Sequence, residues 1–300
     1  MTAKIIWMDG ELVDRDAATV HVTSYGLHYG IGFFEGLRCH PTPEGPAVFR
    51  LTDHLVRLRR SAAVYGIPLP YPVEEMARAC RAVVSANGLT ECYLRPIVFL
   101  GDGPDPLSAP YRAAIVASED GPLIGPPKTD GARAMISGLR RMSADSIPPA
   151  AKATGQYLNS FLAQSEALRA GYDEAILLNA AGFVTDGWAH NLFALAGGEL
   201  RTPPVSAGAL PGITRDSVMT LAREDGLPVS ERDLVRTDLY LADECFLTGT
   251  AAGVVPVVSV DGRPVGAGTP GPVTARLAAA LADVASGTSG AHPEWRETVS

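Results

Sequence analysis

Apolar positions between residues 5 and 50 fall in short runs cut by turn residues. "IIWMDGELV" sets an Asp-Gly pair between two such runs, the signal of a tight β-hairpin, and "AVFRL" follows a Pro/Gly break. The period then changes. "LTDHLVRLRRSAAVYGI" and "VEEMARACRAVVSANG" carry apolar residues at helical spacing and run out at glycines, as helices commonly do. "CYLRPIVFL" and "AAIVAS" return to strand character, so residues 1–120 read as a small α+β domain.

Residues 119–131, "EDGPLIGPPKTDG", concentrate Pro, Gly and charge, and 121–131 read as an interdomain linker. Beyond it, 132–300 read as a larger α/β domain. "ARAMISGL" predicts a strand, "YLNSFLAQSEALRAG" a helix ending at Gly171, and "EAILLN", "GFVT" and "NLFAL" further strands. "LPGITRDSVMTLAREDG" predicts a helix, "ECFLTG" and "VVPVVSV" strands, and "PVTARLAAALADVAS" a last helix, with a frayed tail from about 286. No internal repeat and no low-complexity segment interrupts this order.

Composition narrows the function classes. With 46% hydrophobic and 19% charged residues, 300 residues bury a large core. A net charge of −8 with no basic block argues against nucleic acid as a partner. No segment approaches the ~18 consecutive apolar residues of a membrane span, and the start lacks a basic region followed by an apolar run, so a cytoplasmic location is expected. Cys39, Cys80, Cys92 and Cys245 are widely spaced with no C-x-x-C pair, so they read as reduced core or surface thiols and no metal site is expected.

Of 25 basic residues only three are lysines. Lys4 is N-terminal and Lys128 lies in the Pro/Gly stretch, both reading as solvated. Lys152, within "SIPPAAKATGQYLNS", sits among small residues. Desolvation lowers a lysine's pKa toward the neutral amine, the form that attacks a carbonyl such as the aldehyde of pyridoxal 5'-phosphate. Taken alone, it reads equally as a surface lysine.

Four segments change that balance. "LHYGIGFFEGLR", "SIPPAAKATGQYLNS", "ALPGITRDSV" and "LADECFLTGTAA" resemble, in order, the signature segments of the branched-chain amino-acid aminotransferases, members of the fold-type-IV pyridoxal-phosphate enzymes. The resemblance runs from about residue 5 to 280. It implies a two-domain α/β fold with a small α+β domain and a larger β-barrel-like one, bound pyridoxal 5'-phosphate, and a homodimer in which each site is completed by a neighbour's loop.

The family's Schiff-base lysine falls on Lys152, and its cofactor-ring tyrosine on Tyr157. Arg57, in "HLVRLRR", matches the phosphate arginine; Leu210, Ile213, Thr214, Gly249 and Thr250 match the remaining phosphate cradle. Read by themselves, Tyr157 is a core tyrosine and Thr214 a helix-capping residue. On the substrate side the resemblance points to Tyr29, Phe34, Gly36, Arg38, Tyr93, Arg95, Thr250 and Ala251, with Arg95 meeting the distal carboxylate of glutamate.

The chain also departs from the family. The carboxylate that the resemblance sets at the cofactor's ring nitrogen is a glutamate in the family, in a pattern like E-G-x-G-E-N-L-F. Here the segment is "TDGWAHNLF", Asp186 takes that first acidic position, and an aspartate is shorter by one carbon–carbon bond, about 1.5 Å. His190 replaces the second glutamate, with Trp188 between them. Two readings stand for these: His190 hydrogen-bonds to Asp186 and fixes it, or both pack behind the cofactor. The linker "ASEDGPLIG" lacks the family's aromatic residues, "GDGPDPLSAPYRAAI" is shorter than its counterpart, and Gly253 replaces a glutamate. Transfer of an amino group from an L-amino acid to a 2-oxo acid is the expected reaction. A lyase on the same scaffold, like the aminodeoxychorismate lyases, and a cofactor binder without turnover are the alternatives.

Overall fold

The computed structural model describes residues 3–119 and 130–299. Most of the expected linker, Lys128 included, lies outside them. The described residues form two units. The first joins the residues up to 119 to Ala151–Gly155 and the chain from Asp283 on; the second takes residues 130–150 and Gln156–Ala282.

The first unit opens with β1 (Ile5–Met8) and β2 (Glu11–Asp14), paired antiparallel across a two-residue Asp9-Gly10 loop. Both loop residues have positive φ, 49° and 101°, as the tight hairpin turn requires. Next come α1 (Tyr25–Tyr29), β3 (Gly32–Phe34), β4 (Leu37–Thr42), β5 (Gly45–Phe49), α2 (Leu51–Ala63), α3 (Val73–Ala86), β6 (Cys92–Leu100) and β7 (Tyr111–Ser118). Leu51, Leu55, Leu58 and Ala62 of α2 recur at helical spacing and are fully buried, against Val83 and Val84 of α3 and Leu37, Val48, Leu94 and Ile115 of the sheet. That burial, more than local propensity, holds these two helices in place.

The second unit runs β8 (Ala132–Arg140), α4 (Tyr157–Arg169), β9 (Glu174–Leu178), β10 (Val184–Gly187), β11 (Asn191–Ala196), β12 (Glu199–Thr202), α5 (Ile213–Glu224), β13 (Val229–Glu231), α6 (Arg236–Tyr240), β14 (Glu244–Gly249), β15 (Gly253–Val260), β16 (Arg263–Pro264) and α7 (Pro272–Ser286). Its sheet has the order β10-β9-β8-β15-β14-β11-β12-β13, with β16 on β15. β8 and β9 are parallel, joined through α4, which buries Ser160, Ala163 and Ala167. β9 reads "EAILL" and is buried throughout, as a strand covered on both faces must be.

The expectation of a frayed tail is corrected. β17 (Arg296–Thr298) pairs antiparallel with β5 at the edge of the first sheet, whose order is β17-β5-β4-β6-β7-β1-β2 with β3 on β6. Trp295 anchors it: the ring is buried, stacked on His292 at 3.8 Å and edge-on to Phe49, and its carbonyl accepts the Arg50 N–H at 2.7 Å. All four cysteines are free and buried. Among the described residues no helix is long and apolar enough to cross a membrane.

Candidate active site

In the first unit the lysine segment is threaded against β3. Ala153 bridges Phe33, the Phe34 N–H donates to the Lys152 carbonyl at 3.2 Å, and the Thr154 hydroxyl donates to the Gly30 carbonyl at 2.7 Å. Gly30 and Gly155 come so close that a Cβ on Gly30 would sit 3.3 Å from the Gly155 Cα. The small residues around Lys152 are therefore what this close passage demands. The Lys152 N–H donates to Ser61 Oγ of α2 at 2.9 Å, and its Nζ lies 5.1 Å from the centre of the Phe34 ring.

The same ring also meets Arg95. The Arg95 guanidinium lies 4.5 Å from the Phe34 centroid and donates to the Tyr93 hydroxyl at 2.9 Å. A Cβ on Gly36 would fall 1.9 Å from that hydroxyl. Phe34, Gly36, Tyr93, Arg95 and Lys152 thus share one place in the first unit. Arg57 is tied to it through Glu35: both oxygens of this wholly buried carboxylate accept from the guanidinium. His54 Nδ1 lies 2.7 Å from Glu35 Oε2. Burial raises the Glu35 carboxyl, but Arg57 and His54 override it and hold it well below the usual carboxylate range. Burial pushes His54 down, so its neutral ring donates through Nδ1. Arg38 lies opposite Tyr93 in the β4–β6 register and pairs with Glu91 at 3.2 Å, while Tyr29 is exposed and stacked on Tyr25.

In the second unit Asp186 lies buried in β10, and Arg141, one residue past the end of β8, donates to its Oδ1 through Nε at 3.1 Å and also through Nη2. Arg141 is itself tied to Ser160 Oγ at 2.9 Å and to the Gly187 carbonyl at 3.1 Å. Tyr157 is half-buried in the first turn of α4. Ile213 and Thr214 open α5, where the backbone N–H groups of the first turn and the helix dipole favour an anion. The Thr214 hydroxyl lies 3.5 Å from that of Thr250, in the turn between β14 and β15, with Gly249 and the buried Ala251 beside it. Asn191 props this corner, donating to the Leu210 carbonyl at 2.8 Å.

Residues 32–260 match the family model of the class IV amino-transferases. The branched-chain-amino-acid aminotransferase of Salmonella typhimurium is 45% identical over 99% of this chain and 98% of its own. The chain belongs to the class IV aminotransferases. The crystal structure of the Escherichia coli branched-chain amino acid aminotransferase superposes with a TM-score of 0.95 at 44% identity, over 99% of this chain and 100% of that one. The branched-chain amino acid aminotransferase of Thermobaculum terrenum, solved in its pyridoxal-phosphate holo-form, gives 0.91 at 33% identity, over 100% of this chain and 99% of that one.

Within this class IV aminotransferase three functional neighbours escaped the sequence: Glu35, Arg141 and Glu174. His190 does not fix Asp186. Its Nδ1 pairs with Glu174 Oε2 at 3.2 Å, Glu174 Oε1 accepts the Trp188 N–H at 2.9 Å, and Arg141 is the residue that holds the aspartate. Trp188 packs on Ala163, Ala167, Ala175 and Leu177. Gly249 has a reason beyond room for a ligand, since a Cβ there would meet His190 Cδ2 at 2.8 Å. Arg141 and Glu174 lie 45 and 16 residues from their partners, and nothing local marks either one.

Proposed function

We propose that this chain is a pyridoxal-5'-phosphate-dependent aminotransferase that moves the amino group of an L-amino acid, branched-chain or related, to a 2-oxo acid such as 2-oxoglutarate. The observation that carries the reading is the grouping of Lys152 with Phe34, Tyr93 and Arg95, beside an arginine held by a buried glutamate. The donor sets fit the cofactor. An amine is present at Lys152, a carboxylate at Asp186, and a helix N-terminus with two converging hydroxyls at Thr214 and Thr250. Arg57, Tyr157, Leu210, Ile213, Thr214, Gly249 and Thr250 would hold it, with Asp186 at the ring nitrogen.

Bound pyridoxal phosphate supplies the carbonyl that takes the amino group and a sink for the electrons released at the substrate Cα. The Lys152 amine would take the proton from the substrate Cα as general base and deliver it, as general acid, to the carbon that receives the amino group. The aromatic faces of Phe34 and Tyr93 bind an apolar side chain and keep water from Lys152. Arg95 offers its guanidinium fork to the distal carboxylate of glutamate. One site then takes both donors in turn, as a ping-pong reaction requires. Tyr29, Arg38 and Ala251 complete the substrate contacts in this reading, a homodimer is the working assembly, and the location is cytoplasmic.

The test is the absorbance of the purified protein before and after a panel of L-amino acids including leucine, valine and glutamate. Loss of the yellow band to the near-ultraviolet absorbance of the pyridoxamine form, with particular donors, supports the reading and ranks them. A band that persists against the whole panel overturns transamination in favour of a lyase or a silent binder.

A further inference from the structure

We infer that Arg141 is the positioning residue through which an aspartate replaces the longer carboxylate at the cofactor's ring nitrogen, an inference that rests on the aminotransferase reading. Two arginine–carboxylate pairs in this chain differ in one respect. Arg57 and Glu35 form a closed fork, Nε on Oε1 and Nη2 on Oε2, which occupies both carboxylate oxygens. Arg141 instead places Nε and Nη2 on the same oxygen of Asp186, Oδ1, and the Thr185 hydroxyl also stands 3.0 Å from it. Among the described residues no hydrogen bond goes to Oδ2. One oxygen is committed to the protein, and the other is left to a ligand.

The clasp is anchored beyond the pair. Arg141 Nη1 donates to Ser160 Oγ at 2.9 Å, on the buried face of α4, and Nη2 donates to the Gly187 carbonyl at 3.1 Å. The loop after Asp186 is closed as well: the Gly187 N–H donates to the His190 carbonyl at 2.7 Å, and Glu174 holds Trp188 and His190. A side chain held by so many fixed partners loses little orientational freedom on meeting a ligand. A shorter carboxylate has less reach with which to correct a poor angle, so its direction has to be set beforehand.

The test is a double-substitution cycle on the full chain: parent, Arg141→Gln, Asp186→Asn, and the two together, with Ser160→Ala as a milder disturbance of the same clasp. Three quantities are read: pyridoxal phosphate affinity by titration of the cofactor-free protein, the single-turnover rate with the best amino donor, and the thermal midpoint without cofactor. Arg141→Gln is expected to slow the single turnover roughly 10–100-fold, the range that partners orienting ligating carboxylates carry at metal sites. On the Asp186→Asn background the same substitution changes the rate by less than about twofold, because the residue acts through Asp186. Ser160→Ala shows the same pattern in smaller measure.

Equal slowing on both backgrounds, or an Arg141→Gln rate like the parent's, overturns the inference. Should Arg141→Gln fail to fold, Ser160→Ala decides, and a parent-like rate and affinity there overturn it. A parent that binds pyridoxal phosphate but never turns over would defeat the aminotransferase reading alone. The affinity cycle would still judge Arg141, since Arg141→Gln must weaken cofactor binding only while Asp186 is present.

Discussion

Glu35 gives both carboxylate oxygens to Arg57, Oε1 to Nε at 2.7 Å and Oε2 to Nη2 at 2.8 Å, and has no solvent exposure of its own. The charge on the buried guanidinium is therefore compensated inside the protein before any anion arrives. Glu35→Gln removes that compensation and leaves a buried cation, a loss of about 3–5 kcal/mol when one partner of such a pair is deleted. A phosphate group at Arg57 supplies negative charge of its own. The expected outcome is a larger drop in urea midpoint for the cofactor-free protein than for the protein saturated with pyridoxal phosphate. Equal drops would mean that Arg57 does not meet the phosphate.

Three buried or half-buried groups set the acid side of the stability curve. Glu35 is held well below the usual carboxylate range, so its contribution is complete above the unfolded-chain value of 4.5 and is lost as pH falls through its folded pKa. Burial pushes His54 below 6.5, and burial first, then the nearby Arg38, pushes His40 to about 4. A histidine that stays neutral in the fold but takes a proton when unfolded costs stability below 6.5. The thermal midpoint should fall steadily from pH 7 to pH 4.5. His40→Gln should flatten that fall, recovering about 2 kcal/mol or less at pH 5. An unchanged slope would show that the His40 ring takes up its proton in the folded protein.

Much of this arrangement is legible in the chain, and the rest fails for a physical reason. The Asp9-Gly10 hairpin and the helix over 51–63 are legible because their turn residues and apolar spacing lie within a few residues of one another, although packing is what holds the helix. Lys152 stands out because lysine is rare here and because four segments resemble one family. Asp186 is visible as the acidic member of "TDGWAHNLF", but Arg141 is one of many scattered arginines, distinguished only when β8 and β10 come together in the second unit. Glu35 is hidden in the same way, lying within a quoted motif while its partners sit on α2. The ordered tail depends on Trp295 meeting Phe49 and Arg50, a long-range pairing that no local pattern near 290 announces.

The hydroxyls of Thr214 and Thr250, 3.5 Å apart, arrive from different elements, one from the first turn of α5 and one from the β14–β15 turn. Two donors converging at a helix N-terminus suit a phosphate better than either alone. Thr214→Val and Thr250→Val keep the backbone N–H groups and the approximate shape while removing a single hydrogen bond each. Each should weaken pyridoxal phosphate binding by about 1.5–3 kcal/mol, tenfold or more, the scale of a hydrogen bond to a charged group. Equilibrium dialysis of the cofactor measures it. Unchanged affinity in both variants would place the phosphate away from this corner.

Gly36 and Tyr93 are coupled by space. A Cβ on Gly36 would stand 1.9 Å from the Tyr93 hydroxyl and 2.7 Å from its Cζ, far inside any tolerable contact, so Gly36→Ala must push the phenol aside. The hydroxyl accepts from Arg95 Nη2 at 2.9 Å, and the displacement passes to that guanidinium. If Arg95 serves the distal carboxylate of an acidic substrate, Gly36→Ala should raise KM for glutamate and 2-oxoglutarate more than for leucine. Tyr93→Phe removes the nearer of the two clashing atoms, so Gly36→Ala made on that background should cost less than it does alone. Steady-state kinetics with both donors on the four proteins decides the matter. Equal KM increases for the two donors would detach Arg95 from acidic-substrate recognition, and full additivity of the two substitutions would show that the helpful absence of a side chain at 36 concerns something other than Tyr93.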